Sequence, residues 1–197
     1  MDALCHAIES YTCLQKNPLS DAYSISAINI IRENLILSVK NGNNKSTRLA
    51  MANASLMAGI AFSNSMVGII HAIGHSLGSI CHIPHGEAMA ILMPHCMRFN
   101  KDKLEKEYSE LLLYIAGPEV YSSTKKDFRA DEAIKYVEML LDELHTLSGL
   151  PRKLSEIGVN KNQFEDIAKK AINDGAIIVN PKQESIEEII EILNNAY

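Results

Sequence analysis

Tryptophan is absent from this 197-residue chain, and other aromatics are few, with 4 Phe and 7 Tyr. Strands draw on aromatic and β-branched residues, so this scarcity, beside abundant Ala, Ile, Leu and Met, points to helices. Cysteine is limited to Cys5, Cys13, Cys81 and Cys96, with no CxxC pair. That argues against a disulfide framework and against a Cys-type zinc site. With no secretory leader at the start, the four read as reduced thiols in a cytoplasmic protein. Positive charge is short too: 19 Lys and Arg against 24 Asp and Glu leave a formal charge of −5. Nucleic-acid and anionic-membrane partners are thereby disfavoured, because phosphate contacts demand a cationic surplus. The 10 glycines are dispersed, and no GxGxxG or other Gly-rich turn is present to cradle a diphosphate. At roughly 150 residues per domain the chain is one domain, too short for a nucleotide-binding domain plus a separate substrate domain. It is long enough to bury about 70% of its unfolded surface. Hydrophobic residues at 47% and charged residues at 22% are ordinary globular usage.

One further absence is local. Residues 49 to 86 contain no Asp, Glu, Lys or Arg. A membrane span needs about 20 apolar residues, but Asn53, Ser63, Asn64, Ser65, His71, His75 and His82 would all require partners in lipid. The stretch therefore predicts one or two helices through the middle of a bundle, apolar on all sides because covered on all sides. Around it, Asp21 can open a helix that Asn41-Gly42 stops, and Ser46 or Thr47 can cap the next. Glu87 to Met97 predicts a helix that Pro94 must kink, or near whose end it must sit. Apolar spacing predicts further helices near 103–116, 129–147, 161–173 and 184–196. Ala176 to Val179 is ambiguous, and no run alternates cleanly enough for a strand.

Five of the seven histidines (71, 75, 82, 85 and 95) fall within 25 residues of this nearly uncharged segment. Buried imidazoles are costly unless hydrogen-bonded, stacked or metal-bound. His71 and His75 stand at i and i+4 and can share a helix face. Asp2 and His6 do the same, with Glu9 a turn further on. A carboxylate–imidazole pair from one helix joined by imidazoles from another makes a four-ligand N/O site. It suits Fe(II), Zn(II), Mn(II), Co(II) or Ni(II). Spacing alone does not choose the ligands among His71, His75, His82 and His85.

The stretch from Met1 to Tyr11 resembles the segment of iron-containing (group III) alcohol dehydrogenases that carries their first two metal ligands. AGIAFSNS (58–65), HAIGHSLG (71–78), IPHGEAMAILMPH (83–95) and RFN (98–100) resemble the same family, as do GLPRKLSEIGV (149–159) and the terminal NP and ILNNAY. The resemblance spans essentially the whole chain and implies an all-α helical bundle like the family's C-terminal domain. It makes Asp2, His6, His71 and His85 the metal ligands, with iron the expected ion and zinc a possible one. His75 then becomes a catalytic and cofactor-binding residue near nicotinamide and substrate, and Phe62 borders the nicotinamide. His82 becomes a non-ligand in the loop and His95 a structural histidine; His145 reads as surface.

The implied chemistry is hydride transfer between a small alcohol or aldehyde and NAD or NADP at a divalent metal. On this resemblance residues 1–197 are expected to form a single metal- and substrate-binding domain, with NAD(P) binding left to an N-terminal nucleotide-binding α/β domain expected to be absent from this chain. The chain alone is expected to be inactive, and an uncovered apolar face makes a homo-oligomer possible. Asp2, close to the free amino end, is expected to be a weakly held ligand, favouring a three-histidine site. A different class remains open: an inactive helical remnant or interaction domain retaining a metal site. A metal hydrolase would need Glu9 as base beside a bound water.

Overall fold

In the computed structural model, which describes residues 1 to 197, nine α-helices follow one another without a strand. They are α1 (Asp2–Thr12), α2 (Pro18–Lys40), α3 (Lys45–Ser65), α4 (Ile69–Cys81), α5 (His85–Ala116), α6 (Pro118–Ser123), α7 (Arg129–Ser148), α8 (Phe164–Ala171) and α9 (Ile186–Asn195). Short 3₁₀ turns fill the connections. One of them, Gly175–Val179, is the stretch whose sequence was ambiguous.

Helix starts follow side-chain chemistry, with two shifts from expectation. α2 opens at Pro18, not Asp21, because the Asn17 side chain accepts from Leu19 N and Ser20 N while Ser20 Oγ accepts from Asn17 N. Proline suits the first helical position, whose N–H has no acceptor anyway. α3 is capped by Asn44, which accepts from Ser46 N and Thr47 N, so neither Ser46 nor Thr47 is the cap. Pro94 lies well inside α5, and the non-helical backbone angles of that helix fall at Leu104 instead.

A single cluster of 40 buried apolar residues joins all the long helices. The charge-free stretch divides into two helices of different character. α4 is buried as expected, with Ile69, Ile70, Ala72, Ile73 and Leu77 at 2% exposure or less and Gly74 buried among them. α3 is not. It buries only Thr47, Ala54, Ala58, Ala61 and Ser65, on one face, while Leu49 and Leu56 are 64% and 65% exposed. Absence of charge marked the core helix correctly and misread its neighbour. No single helix is long and apolar enough to cross a membrane, and α3 and α4 meet at a bend of 104°.

α4 approaches α5 so closely that a Cβ at Gly74 would stand 1.7 Å from Met89 Cε, and both residues are buried. Gly74→Ala therefore forces Met89 out of its place and should cost about 1–3 kcal/mol, as core overpacking does. The melting midpoint should fall by about 2–4 °C per kcal/mol. An unchanged midpoint would show that Met89 has an alternative rotamer at no cost.

Candidate metal centre

α1 and α4 meet through long polar side chains, which gather where α5 begins. Asp2 and His6 occupy the same face of α1, with His6 Nδ1 3.8 Å from Asp2 Oδ2. Opposite them, His71 projects from α4 at 2% exposure, its Nε2 3.6 Å from Asp2 Oδ1. Ligand atoms of Asp2, His6 and His71 all lie within 4.8 Å of one another. His85, the first residue of α5, stands beside this trio, with its Nε2 3.4 Å from Asp2 Oδ1. The carboxylate of Asp2 is thus the point toward which three imidazoles turn. The first turn that carries it has the ordinary helical bonds, Leu4 N and Cys5 N donating to Met1 O, and no side-chain cap.

The rings are also stacked. His6 lies between Phe62, at 4.3 Å, and His71, at 4.5 Å, in nearly parallel planes. Phe62, at the end of α3, closes one side of the cluster.

Glu9, one turn beyond His6, has a role that spacing did not reveal. At 5% exposure its Oε2 lies 2.5 Å from His71 Nδ1, and its Oε1 accepts from Ile70 N at 2.7 Å. Both oxygens are committed, so Glu9 is not the free base that a hydrolase would need. Its contact with Nδ1 instead turns the other ring nitrogen of His71 toward Asp2. Gly68 permits this: a Cβ there would lie 3.1 Å from Glu9 Oε1 and 3.0 Å from Asn180 Oδ1. Asn180 itself accepts from Ile69 N and from Asn100 Nδ2. The signal was an acidic residue on the buried face of α1, legible only once that face is known.

Two atoms at the centre, Asp2 Oδ1 and His71 Nε2, are buried without a hydrogen-bond partner. Buried polar atoms are rarely left so. A carboxylate oxygen and an imidazole nitrogen facing one point fit a divalent cation of the borderline class. The local charges agree. Burial would raise the Asp2 carboxyl, but the surrounding imidazoles of His71, His6 and His85 hold it down at about 2. Burial and the neighbouring His71 lower His6 to about 4. Burial likewise lowers His85. Burial opposes protonation of His71, yet Asp2 and Glu9 lift it to about 9.

The other candidates fall elsewhere. His75 is 48% exposed and pairs through Nδ1 with Asp174 Oδ2 at 3.1 Å, its ring 5.7 Å from those of His71 and His85. His82 ends α4 in the left-handed region, exposed. His145 Nδ1 lies 2.8 Å from Leu150 O at the surface. Ser65 joins Ser10, hydroxyl to hydroxyl, at 2.7 Å, bridging α3 to α1 away from the histidines.

Known proteins resemble this chain over its whole length. Residues 1–197 match the profile described as "Fe-containing alcohol dehydrogenase family, C-terminal". Alcohol dehydrogenase 4 of Saccharomyces cerevisiae is 34% identical over 199 residues, covering 100% of this chain and 49% of its own length. The 1,3-propanediol dehydrogenase of Citrobacter freundii is 36% identical over 197 residues, again 100% of this chain and 49% of the relative. A crystal structure of 1,3-propanediol oxidoreductase superposes with a TM-score of 0.93 at 34% identity, covering this chain fully and 50% of that one. The chain spans about half the length of the curated relatives it matches. It belongs to the Fe-containing alcohol dehydrogenase family, of which it carries the C-terminal, all-helical part.

Proposed function

We propose that this chain is the metal- and substrate-binding part of an NAD(P)-dependent alcohol dehydrogenase acting on a small alcohol or aldehyde. Asp2, His6, His71 and His85 would hold a divalent cation, Fe(II) first and Zn(II) second. The observation that carries this reading is the convergence of three imidazoles on one carboxylate whose Oδ1, with His71 Nε2, is buried and unpartnered.

When bound, such an ion supplies Lewis acidity that polarises a C–O bond, and hydride exchange with that carbon is the nicotinamide's own chemistry. The chain's residues do the rest. Glu9 orients His71, and Phe62 packs on His6 and excludes water from that side. His75, half exposed one turn from His71, is placed to meet a substrate hydroxyl and to move its proton. The nucleotide would be held by a separate part, which this reading sets against the uncovered face of α3 leading to Phe62. Within this reading the chain alone turns over no alcohol.

Metal analysis of the purified chain, followed by titration of stripped protein with Fe(II) and Zn(II), tests the reading. One tightly held ion per chain is expected. Stripped protein that stays folded and recovers neither ion would overturn it and favour a helical interaction domain.

A further inference from the structure

We propose that Asp174 is a positioning residue for His75: it holds the imidazole in the Nδ1–H form, so that Nε2 is an open acceptor toward the substrate. The proposal rests on the dehydrogenase reading for its purpose, but its geometry is independent of any cation.

Stacking fixes the plane of the His75 ring, which lies 5.7 Å from His85 at an interplanar angle of 13°. Stacking says nothing about which nitrogen carries the hydrogen. That is set by the partner of one of them. His75 Nδ1 is 3.1 Å from Asp174 Oδ2, and Nε2 has no partner within the chain. An ionised carboxylate can only accept, so Nδ1 must donate. A neutral histidine side chain in water favours the opposite form, with the hydrogen on Nε2, so this pairing selects the less common tautomer.

Asp174 is well built for the task. Its other oxygen, Oδ1, accepts from Ala176 N at 2.8 Å and caps the Gly175–Val179 turn. The carboxylate is therefore aimed by backbone and does not depend on His75 for its orientation. The turn in turn is seated on the site: Ala176 packs with Val67 and Ala72, flanked by Phe62 and Ile177. Ala72 belongs to α4, the helix that carries His75, so donor and acceptor are fixed to one platform although 99 residues apart in sequence. With Nδ1 engaged, the Nε2 lone pair can take a hydroxyl proton; in the other tautomer Nε2–H could only donate.

Nitrogen-15 NMR of histidine-labelled full chain, without metal or nicotinamide, reads this directly. Spectra are recorded at rising alkaline pH until the His75 signals stop moving, and a His75→Gln variant identifies those signals. His75 is expected to show a protonated Nδ1 and a bare Nε2. Asp174→Ser keeps an oxygen for Ala176 N but cannot reach the ring, and should move the tautomer ratio about tenfold toward Nε2–H. Asp174→Asn keeps the cap and presents an amide donor to Nδ1, so it should move the ratio the same way. His75 found with the hydrogen on Nε2 in the unaltered chain overturns the proposal. So does a ratio unmoved in whichever variant keeps the parent melting midpoint. Neither result touches the dehydrogenase reading, which the cation titration decides separately.

Discussion

His71→Gln is expected to abolish tight cation binding, whereas Glu9→Gln should weaken it by about 10–100-fold in a chain that still folds. The two substitutions act on one imidazole from opposite ends. Glutamine at 71 can still donate to Glu9, so the buried carboxylate stays partnered while the ring nitrogen facing Asp2 is gone. Glutamine at 9 keeps an acceptor for Ile70 N but places an amide donor against His71 Nδ1. The ring then carries its hydrogen on Nε2, pointing into the cluster where a lone pair is needed. Alanine at either position is harsher. It strands a buried partner, at about 3–5 kcal/mol, and lost binding would then be confounded with lost structure. His75→Ala, by contrast, should keep the cation. Calorimetric titration with Zn(II), paired with circular dichroism, separates the cases. Equal losses in His71→Gln and His75→Ala would show that the roles are assigned wrongly. A Glu9→Gln chain that binds as tightly as the parent would show that this carboxylate does not set the ring.

Within the histidine cluster, the cation-free state should be favoured most near pH 6.5 and lose stability on both sides. Glu184, raised by burial to about 7, opposes the acid limb, because its own contribution is lost as pH rises from 4.5 through 7. His71 is raised from 6.5 to about 9 in the folded chain, so its contribution is complete below 6.5 and disappears as pH rises through 9. His6 is lowered from 6.5 to about 4, so its contribution is complete above 6.5 and disappears as pH falls through 4. The alkaline limb is on the order of 3 kcal/mol, from about 1.4 kcal/mol per pH unit. The acid limb is smaller, because His6 is partly exposed and Glu184 offsets it. Asp2, held at about 2, adds a further loss only below about 4. A bound cation reverses the alkaline limb. It needs the His71 lone pair, so it competes with the proton there, and affinity should climb toward pH 9 by up to about tenfold per unit. Urea midpoints across this range, with and without Zn(II) in a non-chelating buffer, should therefore diverge on the alkaline side. A cation-free midpoint that climbs steadily from pH 4 to 9 would contradict the opposed environments of His6 and His71.

What could be read from residues alone depended on how far apart the partners lie in the chain. Asp2 with His6, and the helix periodicity from residue 129 onward, are local patterns, and the helices stand close to where spacing puts them. His71 and His75 also look alike by spacing, yet one is sealed against α1 and the other leans toward Asp174, because partners from distant segments decide each. Glu9 was visible as a carboxylate but its target was not, since 61 residues separate it from Ile70. α3 failed for a different reason: lack of charge reports apolar character, and apolar character does not say whether a neighbour is present.

The opening of α4 has a kinetic implication. Its first amide groups are met by Glu9 from one end of the chain and Asn180 from the other, the second closing a loop of 111 residues. Long-range closures are the slow ones in folding. Until residue 180 has arrived, as on a ribosome still adding the last turns, α4 lacks one of its two anchors. The histidine cluster should therefore be among the last parts of the molecule to become rigid, and its order is a late marker of a chain that has finished folding.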